Sequence, residues 1–403
     1  MAPVEPLLTA SGIVVTDGNE RAALAVVRSL GRAGYRVIVG SRTGRSLAGA
    51  SRHAALDLPL PDALVDPEAF VTTLAEAVRT HRADILLPVS EASLLAVLGQ
   101  RERFPGAAIP FPSLPIFQRI CDKARVLQEA ELVGLRVPRQ VTVAMPGAIL
   151  PYDRLRFPLV LKPSRSVSEG PGGRVKLGVK HIESADKLAP ALEAQPPAAY
   201  PILLQERIVG TGIGVFLLLR NRSAIAVFGH RRIREKPPSG GVSVYRESVR
   251  PAPDLVRRSE ALLARLDWEG VAMVEYKVDA KTGEPFLMEI NGRFWGSLQL
   301  AVDAGADFPR WLVQLAEGTP WEQQPDYRLG VRSRWWWGDV DQMLTRLRRS
   351  PAELALPPDD PGLWRSLLAF LTLWRPGDRN EVFRWDDPAP CWRETRAWLR
   401  GLG

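Results

Sequence analysis

The sequence predicts a mixed α/β and α+β fold: an N-terminal doubly wound α/β domain, two α+β subdomains, and a C-terminal helical extension. Three observations predict it. Residues 12–40 read strand, helix, strand (GIVVTDG, NERAALAVVRSLGRAG, YRVIVGS), and a second cycle follows, which is the alternation that builds a parallel sheet. Between residues 157 and 291 come successive apolar strands separated by Gly, Pro and Ser turns. Beyond about residue 319 the strand pattern gives way to helical stretches, and ten of the twelve tryptophans lie between Trp311 and Trp398.

Each element has its own warrant. In the first helix Ala22, Ala25, Val26 and Leu30 form a stripe and Gly34 closes it; the second cycle has a helix near Pro67 to His81, the strand DILLPVS and a helix from Glu91. The first turn has Gly18 but no G-x-G-x-x-G, which argues against a dinucleotide site. Ser90 and Glu91 lie at the carboxyl end of a strand, where such sheets bind ligands, and read first as a helix N-cap pair. PFPSLPIF marks a boundary near residue 117, giving domains 1–117, 118–318 and 319–403.

Composition narrows the function classes. The chain has 403 residues, formal net charge +8 and two cysteines, Cys121 and Cys391. No disulfide framework is expected, and the reducing cytoplasm is the expected compartment. The N-terminus has no basic n-region, no apolar run spans a bilayer, and four scattered histidines argue against zinc. The basic residues are spread rather than clustered, so nucleic acid is not expected. With 45 arginines against 8 lysines, each lysine is informative.

Two lysines stand out. Lys123 opens the helix Asp122 to Val133, and Lys162 closes the apolar strand FPLVLKP, just before the Gly/Ser loop 164–178 that contains Ser164, Gly172 and Gly173. An apolar strand feeding a lysine and then such a loop is a phosphate-site layout, with a loop able to fold over a nucleotide.

The hairpin GVAMVEYKVDAKTGEPFLMEINGRFWGS, 270–297, carries the acidic chemistry. A three-residue loop, Lys281 to Gly283, pairs Glu275 with Glu289 and keeps Ala272, Val274, Tyr276, Val278, Phe286, Met288 and Ile290 on one apolar face. Two opposed carboxylates need a compensating cation. With the Asn291 amide on the same face they make an oxygen-only set suited to Mg²⁺, completed by water and phosphate.

V-E-Y followed by E-I-N-G-R resembles the metal-binding end of the ATP-grasp superfamily, above all its carbamoyl-phosphate-synthase-like and D-aspartate-ligase-like carboxylate-amine ligases, over roughly residues 10 to 318. The resemblance implies a pre-ATP-grasp domain at 1–117, an ATP-grasp domain at 118–318 with a lid subdomain at about 130–205, and ATP with Mg²⁺, or Mn²⁺ in its place. It implies phosphate contacts from Lys123, Lys162, Ser164, Gly172 and Gly173, an adenine-reading hinge at Gln205, Glu206 and Ile208, and metal ligands Glu275, Glu289 and Asn291. Arg293 and Lys162 are the expected catalytic residues, and Arg231, Arg234, Ser239 and Gly240, in the polar segment 231–243, the expected substrate contacts. Where many members carry a ribose-binding carboxylate, this sequence has Gly212, Ile213 and Gly214.

The implied activity is ATP-dependent ligation of a small-molecule carboxylate to an amine or thiol. A nucleotide-binding regulatory or assembly module, or carboxylation and carbamoyl phosphate chemistry on bicarbonate, are the alternatives. The C-terminal region is expected as a helical cap with stretches near Val340 to Arg349, Leu363 to Trp374 and Trp392 to Leu402. Its charges nearly balance, which disfavours a membrane-surface contact; homo-oligomerisation is left open.

Overall fold

The computed structural model describes residues 11–170, 172–321, 326–351, 353–354, 356, 360–372 and 375–401. The N-terminal unit contains β1 (Gly12–Val15), α1 (Arg21–Arg32), β2 (Arg36–Ser41), β3 (Leu56–Pro59), α2 (Pro67–Thr80), β4 (Ala83–Leu87) and α3 (Glu91–Gly99). Its strands form a parallel sheet in the order β3-β2-β1-β4. Val14, Val15, Ile38 and Leu86 are buried, as expected of parallel strands covered on both faces.

Two helices, α4 (Leu114–Cys121) and α5 (Lys123–Leu132), lead into a four-stranded antiparallel sheet with its own small core. That sheet is built from β5 (Gln140–Val143), β6 (Leu159–Pro163), a short hairpin of β7 (Val167–Gly170) and β8 (Gly173–Lys176) set apart from it, β9 (Lys180–Ile182), the helix α6 (Leu188–Glu193) and β10 (Ile202–Glu206). The order is β5-β10-β6-β9.

A seven-stranded sheet forms the centre. It collects β11 (Gly210–Arg220), β12 (Ser223–Lys236), β13 (Val242–Ser248), and, after α7 (Pro253–Arg265), β14 (Gly270–Asp279) and β15 (Pro285–Asn291). After α8 (Leu298–Ala304) and α9 (Phe308–Ala316) it adds β16 (Arg332–Arg334) and, past α10 (Trp336–Arg348) and α11 (Gly362–Leu371), β17 (Asp378–Asn380); α12 (Ala389–Arg400) ends the described chain. The order is β15-β14-β11-β12-β13-β16-β17. The unbroken run Val215 to Leu219 is buried in its middle strand, covered by α7 on one side.

In the polar segment 231–243, β12 continues to Lys236, bulging between Arg232 and Glu235. One expectation is corrected here. The C-terminal region is not purely helical, because β16 and β17 extend the central sheet. Its helices otherwise fall close to the expected stretches; Trp374 and Leu402 lie outside the described residues.

Buried ion pairs fasten this region to the rest. Arg28 of α1 reaches Asp387 at 2.8 Å with both side chains inaccessible, Arg21 and Arg246 both meet Glu381, and Asp339 takes Arg234 and Arg334. Across this joint the guanidinium of Arg21 lies 3.7 Å over the Trp335 ring, while inside the C-terminal region Trp337 stacks on Trp398 at 4.0 Å.

Candidate active site

The hairpin of β14 and β15 sets Glu275 directly opposite Glu289, but by another route than the one expected. Asp279 and Glu284 close a four-residue loop with Gly283 at φ 71°, a register that alone would face Glu275 with Met288. A bulge between Glu275 and Tyr276 inserts one residue and restores the carboxylate pair. The same bulge alters the apolar face. Leu287 is fully buried opposite Tyr276, whereas Phe286 and Met288, expected inside, are only half-buried.

Cations from four segments meet these carboxylates. Arg232 of β12 lies 2.6 Å from Glu275 and 2.7 Å from Glu235. Burial works against its charge, yet the two carboxylates hold its pKa above the ordinary arginine range. Burial raises Glu275 despite Arg232, with Glu289 adding to the rise. For Glu289 burial also acts upward, but Lys123, Lys162, the Asn291 amide and Arg293 together bring it below the usual value. Burial lowers the Lys162 pKa, opposed by Glu289.

Local structure aims each group. Lys123 begins α5, whose cap is Asp122; its Nζ donates to Ser166 Oγ at 2.7 Å. Lys162 stands at the end of β6, paired with Leu203 of β10. Arg293 donates to Asn291 Oδ1 at 3.0 Å, and Asn291 Nδ2 donates to Glu289 Oε1 at 3.1 Å. Two opposed carboxylates, one of them bonded to an amide, fit a hard divalent ion that takes its remaining ligands from water and phosphate. Among the described residues no three His, Cys, Asp or Glu gather into a closed metal cage.

A cavity of about 620 Å³ opens beside this cluster. One wall is the carboxyl ends of the N-terminal strands, with Asp17, Ser41, Asp62, Ser90 and Glu91; another is Ser166, Val167 and Lys176 of the 164–178 segment; the floor includes Glu289, Asn291 and Arg293. Ser90 accepts from Ser93 N as an N-cap. Burial raises the Glu91 carboxyl, against Arg293 and Lys123, and its Oε1 has no hydrogen-bond partner.

Other expected site residues point elsewhere. Ser164 Oγ donates to Asp122 at 2.6 Å, so Ser166, not anticipated, is the serine beside Lys123. Gly172 and Gly173 lie at the tip between β7 and β8, but a Cβ on Gly173 would come within 2.6 Å of Val65 O: the glycine lets this hairpin rest on the N-terminal unit, where Arg174 N also bonds Leu64 O. Gln205 is buried and donates to Gln140, and Glu206 exchanges bonds with Arg139. Ile208, just beyond, is buried.

The expected substrate contacts do not line the cavity. Arg231 is taken up by Glu247, Arg234 makes two bonds to Asp339, and Ser239 and Gly240 sit in the turn between β12 and β13 near Lys277. Gly212, where a ribose carboxylate was sought, has Arg232 across it; a Cβ there would be 2.6 Å from Arg232 Cδ. Arg232, Glu235 and Ser166 are the residues that sequence reasoning missed, and Glu91, read first as a helix N-cap partner, lines the cavity. The charge run 231–236 was the one signal for Arg232 and Glu235, and it drew attention to Arg231 and Arg234 instead.

Residues 199–338 match the family described as "ATP-grasp in the biosynthetic pathway with Ter operon". No curated protein matches the sequence. Among solved structures, an L-amino acid ligase from Bacillus licheniformis aligns with TM-score 0.60 and 16% identity over 77% of this chain and 75% of its own. A biotin carboxylase from Campylobacter jejuni aligns at 0.62 and 16% over 79% and 74%. The ADP complex of an N5-carboxyaminoimidazole ribonucleotide synthetase aligns at 0.61 and 17% over 85% and 87%. The chain has the ATP-grasp fold.

Proposed function

We propose that this protein is an ATP-dependent ligase that activates a small-molecule carboxylate as an acylphosphate for attack by an amine or thiol, releasing ADP and phosphate. The observation that carries the reading is the meeting of Lys123, Lys162, Glu275, Glu289, Asn291 and Arg293, of which Glu289, Asn291 and Arg293 line the cavity. The cations around Glu289 outnumber it, which suits a site whose missing anions are nucleotide phosphates.

Glu275, Glu289 and Asn291 would hold Mg²⁺, which when bound neutralises phosphate charge. Lys123 and Lys162 neutralise the β- and γ-phosphates, and Ser166 fixes the Lys123 ammonium. The 164–178 segment, resting on the N-terminal unit, excludes water from the cleft. The substrate carboxylate attacks the γ-phosphorus in line, ADP leaves, and the amine then displaces phosphate from the acyl carbon. Arg293, tethered to Asn291, disperses charge on the transferring group. Adenine contact falls to the segment around Ile208, and the carboxylate and amine occupy the cavity wall that includes Glu91. The solved L-amino acid ligase and the ADP-bound synthetase support the same reading.

Hydroxylamine trapping tests it. With ATP and a panel of carboxylic acids but no amine, a hydroxamate should form in step with ADP, and Arg293→Ala should cut it by about 10². ADP release that requires bicarbonate and yields no hydroxamate would favour a carboxylase instead. Product that appears only with amine present, never with a trapped intermediate, would exclude the acylphosphate route.

A further inference from the structure

The near balance of charge in the C-terminal region hides a sorting. Several of its acids turn inward: Asp339 meets Arg234 and Arg334, Asp341 meets Lys236 and Trp398, Asp360 meets Arg346, Glu381 meets Arg21 and Arg246, and Glu394 accepts from Trp335, while Asp326, Glu353 and Asp386 stay exposed. Several arginines do the opposite. Arg348, Arg365, Arg396 and Arg400 face solvent and have no acidic partner among the described residues; Arg349 lies near Glu353.

Helix α11 carries one of these arginines, Arg365. Its inner side is Ser366 and Phe370, with Phe370 stacked on Trp336 and its carbonyl taken by Arg334. The outer side is also apolar. Trp364, Leu368 and Leu371 are 76%, 67% and 56% exposed, and their i, i+4, i+7 spacing makes one stripe. Helix α12 repeats the composition on its outer side with Trp392, Arg396, Leu399 and Arg400. Isolated exposed apolar side chains are ordinary; a continuous stripe on a helix that also carries an unpaired arginine marks a docking surface.

We propose that the outer face of α11 docks on an anionic lipid surface, lying in the plane of the interface with Trp364, Leu368 and Leu371 inserted and Arg365 on the headgroups. Trp and Leu on one side with arginine beside them is the composition of interfacial helices, and arginine stems cover apolar surface while the guanidinium stays in water. Spanning is excluded for this element, since no described helix is long and apolar enough to cross a membrane. A second copy of the chain fits less well. A two-fold contact on this face would bring the two copies' Arg365 together, and three exposed side chains fall short of the roughly 20–30 residues a side of a stable interface. The inference does not depend on the ligase reading.

Vesicle co-sedimentation of the full-length protein decides it. Binding is expected to vesicles of phosphatidylcholine mixed with phosphatidylglycerol, weakly or not at all to phosphatidylcholine alone, and to weaken at high salt. The double substitution Trp364→Ser with Leu368→Ser should reduce binding at least about tenfold, with ATP turnover, circular dichroism and sedimentation coefficient unchanged. Arg365→Glu should remove part of the salt-sensitive binding. No vesicle binding overturns the proposal. So does binding lost with the arginine but kept without Trp364 and Leu368, which is adsorption without insertion. A dimer in solution that the double substitution dissociates overturns it in favour of a second copy.

Discussion

The hairpin site and the C-terminal joint both bury carboxylates beside cations, yet only the site opens onto the cavity. At the joint most acids meet arginine: Asp387 has Arg28, Asp339 has Arg234 and Arg334, and Glu381 has Arg21 and Arg246. At the site two carboxylates face each other across a strand pair, an arrangement that destabilises a sheet on its own, and Lys123, Lys162 and Arg293 crowd one of them while Arg232 holds the other. At Glu381, as at Glu289, cations outnumber the acid. What separates the two regions is the cavity, which Glu289, Asn291 and Arg293 line and the joint's pairs do not.

That contrast breaks most sharply at Glu289. Glu289→Gln keeps the size of the side chain and the partner of Asn291 but removes a charge from the pair of opposed carboxylates that could clamp a divalent ion. ATP turnover should fall at least about 10³-fold, with the circular dichroism spectrum retained. A folded variant turning over ATP at the unsubstituted rate would remove Glu289 from the site.

At the joint the same kind of change should act on stability alone. Asp387→Ala leaves the Arg28 guanidinium inaccessible to water and without its carboxylate, and strips partners from Ser51 Oγ and Arg52 N. Breaking a buried pair in this way costs about 3–5 kcal/mol, to be read from denaturant unfolding. The double substitution Arg28→Met with Asp387→Leu should recover most of that loss, and its turnover per folded molecule should match the unsubstituted protein. A drop in turnover at full foldedness would mean that the joint also shapes the cleft.

The two regions were unequally legible in the sequence. Glu275 and Glu289 lie in one hairpin, so alternation along two adjacent strands was enough to pair them, even though the loop length and the bulge at Met288 were read as a single shorter turn. The parallel N-terminal sheet was legible because its strands are continuous apolar runs. Lys123 and Lys162 stood out because lysine is scarce. Arg234, by contrast, finds Asp339 105 residues away, and Arg28 finds Asp387 359 residues away. Nothing local marks such partners. Arg231 and Arg234 therefore looked like substrate contacts, and the inward turn of several C-terminal acids was invisible in a count of charges.

The smallest effect tests whether the joint is matched throughout, because Glu394 is its exception. This carboxyl accepts from Trp335 Nε1 at 2.8 Å on the buried side of α12. Burial pushes its pKa up to about 7, with nearby Glu381 adding to the rise and the Trp335 bond and Arg21 opposing it. A raised carboxyl pKa makes the folded state hold a proton that the unfolded chain releases. Below pH 4.5 both states are protonated and Glu394 contributes nothing. As the pH climbs from there to about 7, folding stability falls, and above 7 the whole penalty is present. Glu394→Gln keeps an acceptor for Trp335 without a charge to bury. The variant and the unsubstituted protein should match near pH 4 and diverge through the range between 4.5 and 7, with the variant more stable by about 1–3 kcal/mol at pH 8. Paired denaturant titrations across that range isolate this group, since every other carboxylate is common to both proteins. A constant difference at all pH values would mean that Gln changed packing rather than charge. A variant less stable at pH 8 would show that the ionised carboxylate is held by Arg21, making Glu394 one more matched acid of the joint.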